Sequence, residues 1–414
     1  MVRILKLAAR NLLRYGRRTS LTAGLIILGI VAVLLFVSVS GSFKNLIVGQ
    51  ITDSMLGHLQ VHRRGYVASI DNLPLNLNLK PEAAAKVEEA LKAMDQVVAS
   101  SPRLKFGAMF SNFTETTSIR LNGVIPEREL AAMPMLSSRL AQGSATAGLL
   151  ERGKVLIPEV LARGMKIKVG DSVVLVATNL DGSVNGKTFT VQGVLGDVTG
   201  PGGRDGYVNI DDARDLLRLT EPEVSEIAVR LKSLARLSQA SAQLERALAG
   251  MVNPQGQPAV EVHTWEGLTP FANIARMIDL LDLFIRFMLV GIVLISVMNV
   301  MVMAVYERIR EIGTIAAIGT PPGRILGLFL AEGVLLGLIG TVIGTLLSLG
   351  IVYALNVWPV HFKFARQTIE LAPSIAASDI FSIGGIVLLV AIAASLQPAW
   401  KASRMDPISA LRHV

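Results

Sequence analysis

Four long stretches with almost no charged residue constrain this chain more than any other feature. They cover residues 21–39, 287–305, 328–353 and 381–400. A helix needs about 20 mostly apolar residues to cross a hydrocarbon core roughly 30 Å thick. The mean hydropathy of +0.52 is also above what soluble globular proteins usually show. The sequence therefore predicts a membrane protein with four transmembrane α-helices.

Basic residues beside these stretches predict the orientation of the chain. They precede the first stretch and follow the last one: Arg3, Lys6, Arg10, Arg14, Arg17 and Arg18, and then Lys401, Arg404 and Arg412. Cytoplasmic flanks of membrane spans carry an excess of Lys and Arg, so we expect both termini in the cytoplasm. The net charge is +8, but its distribution follows the spans, and no nucleic-acid partner is predicted.

The basic residues before the first stretch also recur at helical spacing. From Arg3 to Arg17, successive members of the set are three or four residues apart, so a helix over 1–19 collects them on one face. Such a helix can lie on anionic lipid headgroups. Alternatively, the charges serve only to set the topology.

The long external segment, 42–275, has the pattern of a mixed α and β domain. Pro81 opens a run of Ala and Glu that is typical of a helix. The turn signals Asp181-Gly182 and Asn185-Gly186 lie between two runs of β-branched residues, which predicts a hairpin. The predicted elements are helices over 80–94 and 234–248 and strands over 172–177, 187–194 and 259–263. We therefore expect a large α+β extracytoplasmic domain inserted between helices 1 and 2.

Charged residues at helical spacing precede the second stretch. Asp279, Asp282 and Arg286 fall at i, i+3 and i+7, on one side of a helix that continues into the membrane. A helix over 277–306 is about 45 Å long, which exceeds the bilayer core. We expect it to project outward as a stalk that carries the external domain. The alternative is a tilted helix with an interfacial first turn.

No motif predicts catalysis, a bound cofactor or a metal. The segment 182–188 resembles a phosphate-binding loop, but only three residues separate its glycines and its neighbours are strands, so we interpret it as a hairpin turn. His58 and His62 are four residues apart on a predicted strand and lack an obvious third ligand. The chain has no cysteine, which excludes disulfides, thiolate metal sites and cysteine nucleophiles.

The third apolar stretch contains one acidic residue and a stripe of glycines. Glu332 either faces the protein interior or extends its carboxylate toward the cytoplasmic surface, since an ionisable group in a span is costly. The glycines that follow it on the same helix are Gly333, Gly337, Gly340 and Gly344. Their spacing lets another helix approach closely, either within the chain or across a dimer.

Residues 306–324, YERIREIGTIAAIGTPPGR, separate the second and third stretches and are strongly charged. Glu307 and Arg310, like Arg308 and Glu311, are three residues apart and can pair along a helix. Ile312 lies on another face, which gives a short amphipathic helix. Gly319 is expected to end it, and Thr320-Pro321-Pro322 to cap and begin the next helix. Such a helix either contacts a cytoplasmic partner or is a linker on the membrane surface.

This segment and the C-terminus resemble the FtsX-like permeases of ABC transporters. The sequence YERIREIGTIAAIGTPPGRILGLFLAEGVLLGLIGTVIG is similar to the family's E-R-x-x-E-I-G motif followed by a glycine-striped span. Residues 398–412, PAWKASRMDPISALR, are similar to its closing P-A-x-x-A-x-x-x-D-P-x-x-A-L-R motif. The external pieces GHLQVHRRGY and LNGVIPERE look most like the lipoprotein-releasing branch, which is related to the macrolide-exporter permeases. Residues 320–323, TPPG, depart from the usual small and polar break.

The resemblance implies a permease subunit without enzyme activity of its own. It would pair with a second permease subunit, as a homodimer or heterodimer, and recruit two copies of a separate ABC ATPase that binds ATP and Mg²⁺. The implied ATPase-coupling residues are Glu307, Arg308, Arg310, Glu311, Ile312, Gly313, Gly319 and Arg324. Motion of the ATPase would reach the external domain through the stalk.

Three functions follow from this resemblance. The first is ATP-dependent release of a lipoprotein or other amphiphile at the outer face of a bacterial inner membrane, with a lipoprotein or its periplasmic carrier as partner. The second is export of small hydrophobic drugs or peptides with a periplasmic adaptor. The third is activation of a periplasmic enzyme without transport.

The expected organisation follows from these assignments. It is a cytoplasmic amphipathic N-terminal helix (1–19), TM1 (20–41), the periplasmic domain (42–275), stalk and TM2 (276–306), the cytoplasmic coupling helix and loop (307–324), TM3 (325–357), a short external loop (358–379), TM4 (380–400) and a cytoplasmic tail (401–414).

Overall fold

The computed structural model describes residues 2–14, 16–143, 150–196, 203–269, 271–364 and 367–412. Its helices are α1 (Val2–Arg14), α2 (Gly16–Ile51), α3 (Pro81–Lys92), α4 (Pro126–Ala132), α5 (Glu159–Gly164), α6 (Ile210–Leu217), α7 (Leu237–Leu248), α8 (Trp265–Leu268), α9 (Phe271–Glu307), α10 (Ile309–Ala317), α11 (Pro322–Val357), α12 (Ala377–Ser403) and α13 (Pro407–Arg412). Its strands are β1 (Leu59–Arg63), β2 (Val97–Ser111), β3 (Thr116–Val124), β4 (Leu140–Gly143), β5 (Lys154–Pro158), β6 (Ser172–Thr178), β7 (Val184–Leu195), β8 (Gly206–Asn209), β9 (Glu226–Leu231), β10 (Val260–Thr264), β11 (Val360–Phe364) and β12 (Gln367–Leu371).

The chain divides into two compact units. Residues 1–45 and 276–414 form the first, which we call the membrane unit, and residues 46–275 form the second, the external unit. The membrane unit contains the long apolar helices α2, α9, α11 and α12, which confirms the four predicted transmembrane helices.

The first two long helices extend further than the predicted spans. α2 ends at Ile51 and not at residue 41, and α9 begins at Phe271 and not at 276. The residues beyond position 41 remain apolar at helical spacing, and Val48 and Ile51 are buried in the core of the external unit. Burial of one face is what stabilises most helices in proteins, so the helix continues while that burial lasts.

The core of the membrane unit is built from one face of each long helix. On α9, Leu289, Val293, Val297 and Met301 recur every four residues and are almost completely buried. They pack with residues of α2, α11 and α12 in one hydrophobic cluster. Other apolar side chains of α9, such as Phe287, stay exposed in the single chain, as expected for a surface that faces lipid or another subunit.

The glycine stripe of α11 packs within the chain. A Cβ on Gly333 would lie 2.6 Å from Ser395 Oγ, and one on Gly337 would lie 2.9 Å from Ala391 Cβ, both on α12. One turn later the contact changes to α2, where a Cβ on Gly340 would lie 2.4 Å from Ile26 Cγ2. Gly344 faces α2 in the same way, next to Ile30. The stripe therefore lets α11 approach two helices of its own chain closely.

This packing predicts different effects on stability for the same substitution at two glycines of α11. We expect Gly340→Ala to lower the melting temperature of the detergent-purified protein, since overpacking costs about 1–3 kcal/mol. Gly327 is the matched control, because no atom lies within 4 Å of a Cβ there. Gly327→Ala should leave the melting temperature unchanged or raise it, since Ala favours helix over Gly by about 1 kcal/mol. Equal shifts for the two variants would contradict the close approach of α2.

The external unit is built around a closed ring of six strands. In order, β2 pairs with β3, β3 with β8, β8 with β5, β5 with β7, β7 with β6, and β6 again with β2. Side chains from several of these strands, including Phe106, Phe110 and Phe189, fill its core. Closure removes the exposed edges that open sheets carry.

The long strand β2 joins this ring to a second run of strands. Its first half pairs with β9, and β9, β1 and β10 continue the sheet. Helices α3 and α7 contact each other beside this sheet, and Val87 and Leu244 from them enter the hydrophobic core. The external unit is therefore an α+β domain, as predicted.

The local predictions in this unit hold, whereas two short elements elsewhere were missed. Helix 80–94 corresponds to α3, the predicted hairpin to β6 and β7, strand 259–263 to β10, and helix 234–248 to a 3-10 turn followed by α7. The region 358–379, expected to be a plain loop, contains the hairpin of β11 and β12, and the tail 401–414 contains α13. The two strands and α13 are only five or six residues long.

Two buried arginines cap the end of the first membrane helix inside the external unit. After Ile51 the chain forms one π-helical turn, Thr52–Leu56, which leaves carbonyl groups without helical partners. Arg103 Nη1 donates to the carbonyl oxygen of Met55 at 2.7 Å, and Arg139 Nη1 donates to that of Ser54 at 3.4 Å. Cations at a helix C-terminus are favourable, because the carbonyl dipoles point toward them.

Arg103 is held in turn by two buried carboxylates. It donates to Glu129 at 2.6 and 3.1 Å and to Glu226 at 3.0 Å. Both glutamates are completely buried. Burial opposes charge on Glu226, but Lys105, His62 and Arg103 outweigh it and hold the pKa of that carboxyl well below its usual range. The end of α2, β2, β9 and α4 thus meet at one guanidinium group.

Candidate functional site

The segment between the second and third spans forms a short helix with two different faces. The long helix α9 ends at Glu307, and Arg308 has non-helical backbone angles (φ −113°, ψ 18°), so α10 begins as a separate element. Ile309 and Ile312 are buried, whereas Arg310 and Ile318 are exposed, Ile318 to 81%. The predicted amphipathic helix is therefore present.

A glycine in the left-handed region ends α10. Gly319 has φ +91° and donates its N–H to the carbonyl oxygen of Ala316 at 3.0 Å, while the N–H of Thr320 reaches that of Ile315 at 3.2 Å. These are the two hydrogen bonds of a Schellman motif. Thr320 thus belongs to the end of α10, and the prediction that it caps α11 is wrong: Pro321 is the N-cap and Pro322 the first helical residue.

The inner face of α10 packs on the C-terminal helix α13. A Cβ on Gly313 would lie 2.8 Å from Ala410 Cβ, so only glycine allows this approach. Ala410 is buried, whereas Ile408 of the same helix is 66% exposed. The end of the chain therefore belongs to the same surface as α10.

A buried ion-pair network connects α10 to α1 and α11. Arg308 donates to Glu332 at 2.9 Å and to Glu311 at 2.9 Å, and Asn11 of α1 donates to Glu332 at 2.7 Å. Burial disfavours the charged guanidinium, but Glu332 and Glu311 outweigh it and raise the pKa of Arg308. Glu332 is only 3% exposed, so of the two alternatives for this residue, the interior position is correct.

The three charged residues at the external end of α9 bind two neighbouring helices. Asp279 accepts from Lys44 at 2.6 Å and Asp282 accepts from Ser40 at 2.7 Å, both on α2. Arg286 donates to Asp379 in the first turn of α12 at 3.0 Å. These contacts are partly exposed, where such pairs contribute at most about 1 kcal/mol. They orient the helices more than they stabilise them.

The two histidines singled out from the sequence do not converge on a ligand. His58 Nδ1 accepts a hydrogen bond from the N–H of Leu231 at 3.1 Å, whereas the ring of His62 stacks on Tyr66 with 5.3 Å between centroids. Across the described ranges, His, Asp and Glu side chains form no group of three that could hold a metal ion.

Comparison with protein-family models matches both parts of the chain. Residues 19–247 match the MacB-like periplasmic core domain, and residues 283–407 match the FtsX-like permease C-terminal domain. The first match alone covers more than half of the 414 residues. The chain belongs to the FtsX-like permeases of ABC transporters. It is accordingly a multi-pass inner-membrane protein with a periplasmic domain inserted after the first span.

Individual relatives of this FtsX-like permease fall into two groups. It is 25% identical to the lipoprotein-releasing system transmembrane protein LolC of Neisseria meningitidis over 408 residues, which cover 94% of this chain and 92% of the relative. It is 38% identical to the macrolide export ATP-binding/permease protein MacB of Syntrophobacter fumaroxidans over 122 residues, which cover 29% of this chain and 15% of that protein. The periplasmic region of MacB from Actinobacillus actinomycetemcomitans aligns in structure with a TM-score of 0.36 and 13% identity, over 53% of this chain and 92% of that one.

The predicted coupling residues of the permease lie in two different environments. Glu307, Arg310, Gly319 and Arg324 are exposed and Glu311 is half-buried, whereas Arg308, Ile312 and Gly313 are buried against their own chain. The buried group holds α10 in place, and only the exposed group is available to a partner. Three residues of this site were not predicted from the sequence. Asn11 hydrogen-bonds to the ion-pair network and Ala410 packs against Gly313. Ile318 is an apolar residue that is exposed to solvent. The position of Ile318 directly before the terminating glycine was the available signal for its exposure.

Proposed function

We propose that this permease couples ATP hydrolysis on two copies of a separate ATPase subunit to the release of a lipoprotein or another amphiphile at the outer face of the inner membrane. The observation that carries the proposal is the similarity to LolC, which extends along 94% of this chain and 92% of that protein. Both termini and α10 lie in the cytoplasm in this proposal, in keeping with the basic flanks of the spans.

The exposed face of α10 is the proposed contact with the ATPase. Arg310 and the preceding Glu307, the last residue of α9, supply charges at its rim, and Ile318 at the C-terminal end of α10 supplies an exposed apolar side chain. A binding surface commonly combines a central apolar anchor with a polar rim. Movement of α10 would then pass to α11 through the contact of Arg308 with Glu332, and α9, with Asp279, Asp282 and Arg286, would act as the stalk.

The anchor residue gives a direct test of this contact. We expect Ile318→Asp to reduce copurification of the ATPase subunit at least tenfold, because truncating a central anchor typically costs about 2 kcal/mol or more. Leu180→Asp is the matched control, since Leu180 is also an exposed apolar residue (56%) but belongs to the external unit. Affinity capture of the coexpressed ATPase, quantified against the permease, measures the effect. Unchanged capture with Ile318→Asp would contradict the role of α10.

Release of an amphiphile is tested separately. The permease and its ATPase subunit are reconstituted with a triacylated lipoprotein in proteoliposomes, and soluble lipoprotein is measured after ATP addition with a periplasmic carrier present. We expect ATP-dependent release that Ile318→Asp abolishes. ATP hydrolysis without release would count against this function even if the ATPase contact is correct.

A second function is supported by the match of residues 19–247 to the MacB-like periplasmic core domain. In that case the permease exports small hydrophobic compounds or peptides together with a periplasmic adaptor. The two functions predict different partners in detergent extracts: a lipoprotein or its carrier for the first, and an adaptor with an outer-membrane channel for the second. Mass spectrometry of the copurified proteins distinguishes them.

A further inference from the structure

A small apolar pocket lies inside the membrane unit between α1, α10 and α11. Its volume is about 250 Å³, and its apolar walls are Leu7, Ile312, Ile315, Ile325, Leu328 and Phe329. The polar residues that line it are Arg308, Glu311, Thr320 and Arg324. Ile312, Ile325 and Phe329 also belong to the core of the membrane unit, whereas Leu7, Ile315 and Leu328 lie outside that cluster.

An exposed arginine on α11 borders the pocket. Arg324 is exposed in the first turn of that helix and lines the pocket. Its backbone N–H donates to the carbonyl oxygen of Pro321 at 2.9 Å, but among the residues that the structure describes none forms a hydrogen bond or ion pair with its guanidinium group. Its position at the start of the third span puts the guanidinium group at the level of lipid headgroups.

A second such arginine lies on the facing helix α1. Leu7 lines the pocket, and Arg14 contacts Glu311, which also lines it, at 3.5 Å. Arg10 is three residues after Leu7 and four before Arg14, so helical spacing places it between them on the same face. Arg10 is exposed, and within the described part of the chain its guanidinium group has no hydrogen-bond or ion-pair partner.

The charges around the pocket are predominantly positive. Two carboxylates, Glu311 and Glu332, are both engaged by Arg308 at 2.9 Å. Four arginines lie around the pocket, which is two more than the acidic residues: Arg10, Arg14, Arg308 and Arg324. The rim is therefore suited to an anion, whereas the walls are suited to a hydrocarbon chain.

We propose that this pocket binds an anionic phospholipid of the inner leaflet. The end of one acyl chain occupies the apolar walls, and the phosphate lies between Arg10 and Arg324, which form charge-assisted hydrogen bonds with its oxygens. The volume of about 250 Å³ is too small for a whole lipid, so the headgroup remains outside, where the two arginines are. A zwitterionic lipid offers the same phosphate, but its ammonium group is repelled by the positive rim.

Native mass spectrometry of the purified chain tests this site, since it needs neither the ATPase nor the transported substrate and so stands apart from the proposed function. The protein is delipidated in detergent and titrated with phosphatidylglycerol or phosphatidylethanolamine of identical acyl chains. We expect one phosphatidylglycerol to be retained with about tenfold preference, and Arg10→Gln with Arg324→Gln to remove that preference. Lys401→Gln is the matched control, because it removes one exposed charge at the end of α12, away from the pocket.

A substitution in the wall separates pocket binding from general attraction to a basic surface. Leu328→Trp fills the cavity without changing the charge and should reduce phosphatidylglycerol retention about tenfold. If this variant does not fold, the arginine variants decide the question alone. Equal retention of the two lipids by the wild-type protein would overturn the proposal, as would retention that is insensitive to Arg324→Gln. A photoreactive residue at position 328 that crosslinks to the ATPase subunit and not to lipid would also overturn it, because the pocket would then belong to a protein interface.

Discussion

Arg103→Met is expected to destabilise the external unit by about 3–5 kcal/mol, the cost of removing one partner from a buried charge cluster. The substitution keeps the side-chain length but leaves Glu129 and Glu226 buried without the guanidinium group, and it frees the carbonyl oxygen of Met55. Hydrogen exchange in the full-length protein in detergent measures the effect. Peptides from β2 and β9 should lose protection by several orders of magnitude.

The control and the rescue are both available within the same unit. Arg120→Met removes an exposed arginine of β3 and should change stability by no more than about 0.5 kcal/mol. Adding Glu129→Gln and Glu226→Gln to Arg103→Met should restore much of the protection, because the uncompensated charges disappear. Equal exchange in the Arg103 and Arg120 variants would show that the cluster does not hold this part of the unit together.

The same substitution should change the pH dependence of stability. The pKa of Glu226 is held far below its usual range, so its contribution is present above the pKa of the unfolded chain and is lost as pH falls through the folded-state value. Without Arg103 the folded-state pKa of Glu226 rises toward its ordinary value. The deficit of the variant should therefore be largest near neutral pH and shrink as pH falls below about 4.

Arg308→Met is the second substitution with a large expected effect. It leaves the Glu332 carboxylate within the third span with Asn11 as its remaining described partner, and it breaks the link between α10 and α11. We expect the free energy of unfolding to fall by about 3–5 kcal/mol, which lowers the melting temperature in detergent. The double variant Arg308→Met with Glu332→Gln should recover most of it, and the difference gives the coupling energy between the two side chains.

A neighbouring arginine separates stability from partner binding. Arg310 lies two residues away but is exposed on α10. If that face contacts the ATPase subunit, Arg310→Met should reduce copurification of the ATPase while the melting temperature stays unchanged. Arg308→Met, in contrast, should lower the melting temperature, because Arg308 is part of the buried ion-pair network. A loss of stability with Arg310→Met that equals the loss with Arg308→Met would contradict this division between the two faces of the helix.

The features predicted from the sequence are those with a local cause. The four spans follow from runs of apolar residues, α3 from its composition behind Pro81, and the hairpin of β6 and β7 from the turn at Gly182, whose φ is +82°. The end of α10 at Gly319 likewise follows from the backbone preference of glycine. In each case neighbouring residues carry all the necessary information.

The features that could not be predicted depend on residues far apart in the chain. Asn11 meets Glu332 across 321 positions, and Arg103 meets Met55 and Glu226 across 48 and 123. The closed ring of six strands mixes parallel and antiparallel pairs, and no single turn specifies that order. An ionised side chain such as Glu332 is costly to bury in a membrane span, and its position is explained only by its partner Arg308.

The division of the glycine stripe between α12 and α2 limits how a second subunit can meet this chain. Gly333 and Gly337 face one helix and Gly340 and Gly344 another, so the side of α11 that stays exposed over residues 338–347 carries bulky side chains, such as Val342 and Leu346. A neighbouring subunit that packs there must remain at the ordinary axis separation of about 8–10 Å. Such a contact can slide or separate during a working cycle more readily than the close glycine contacts that hold α11 against α2 and α12.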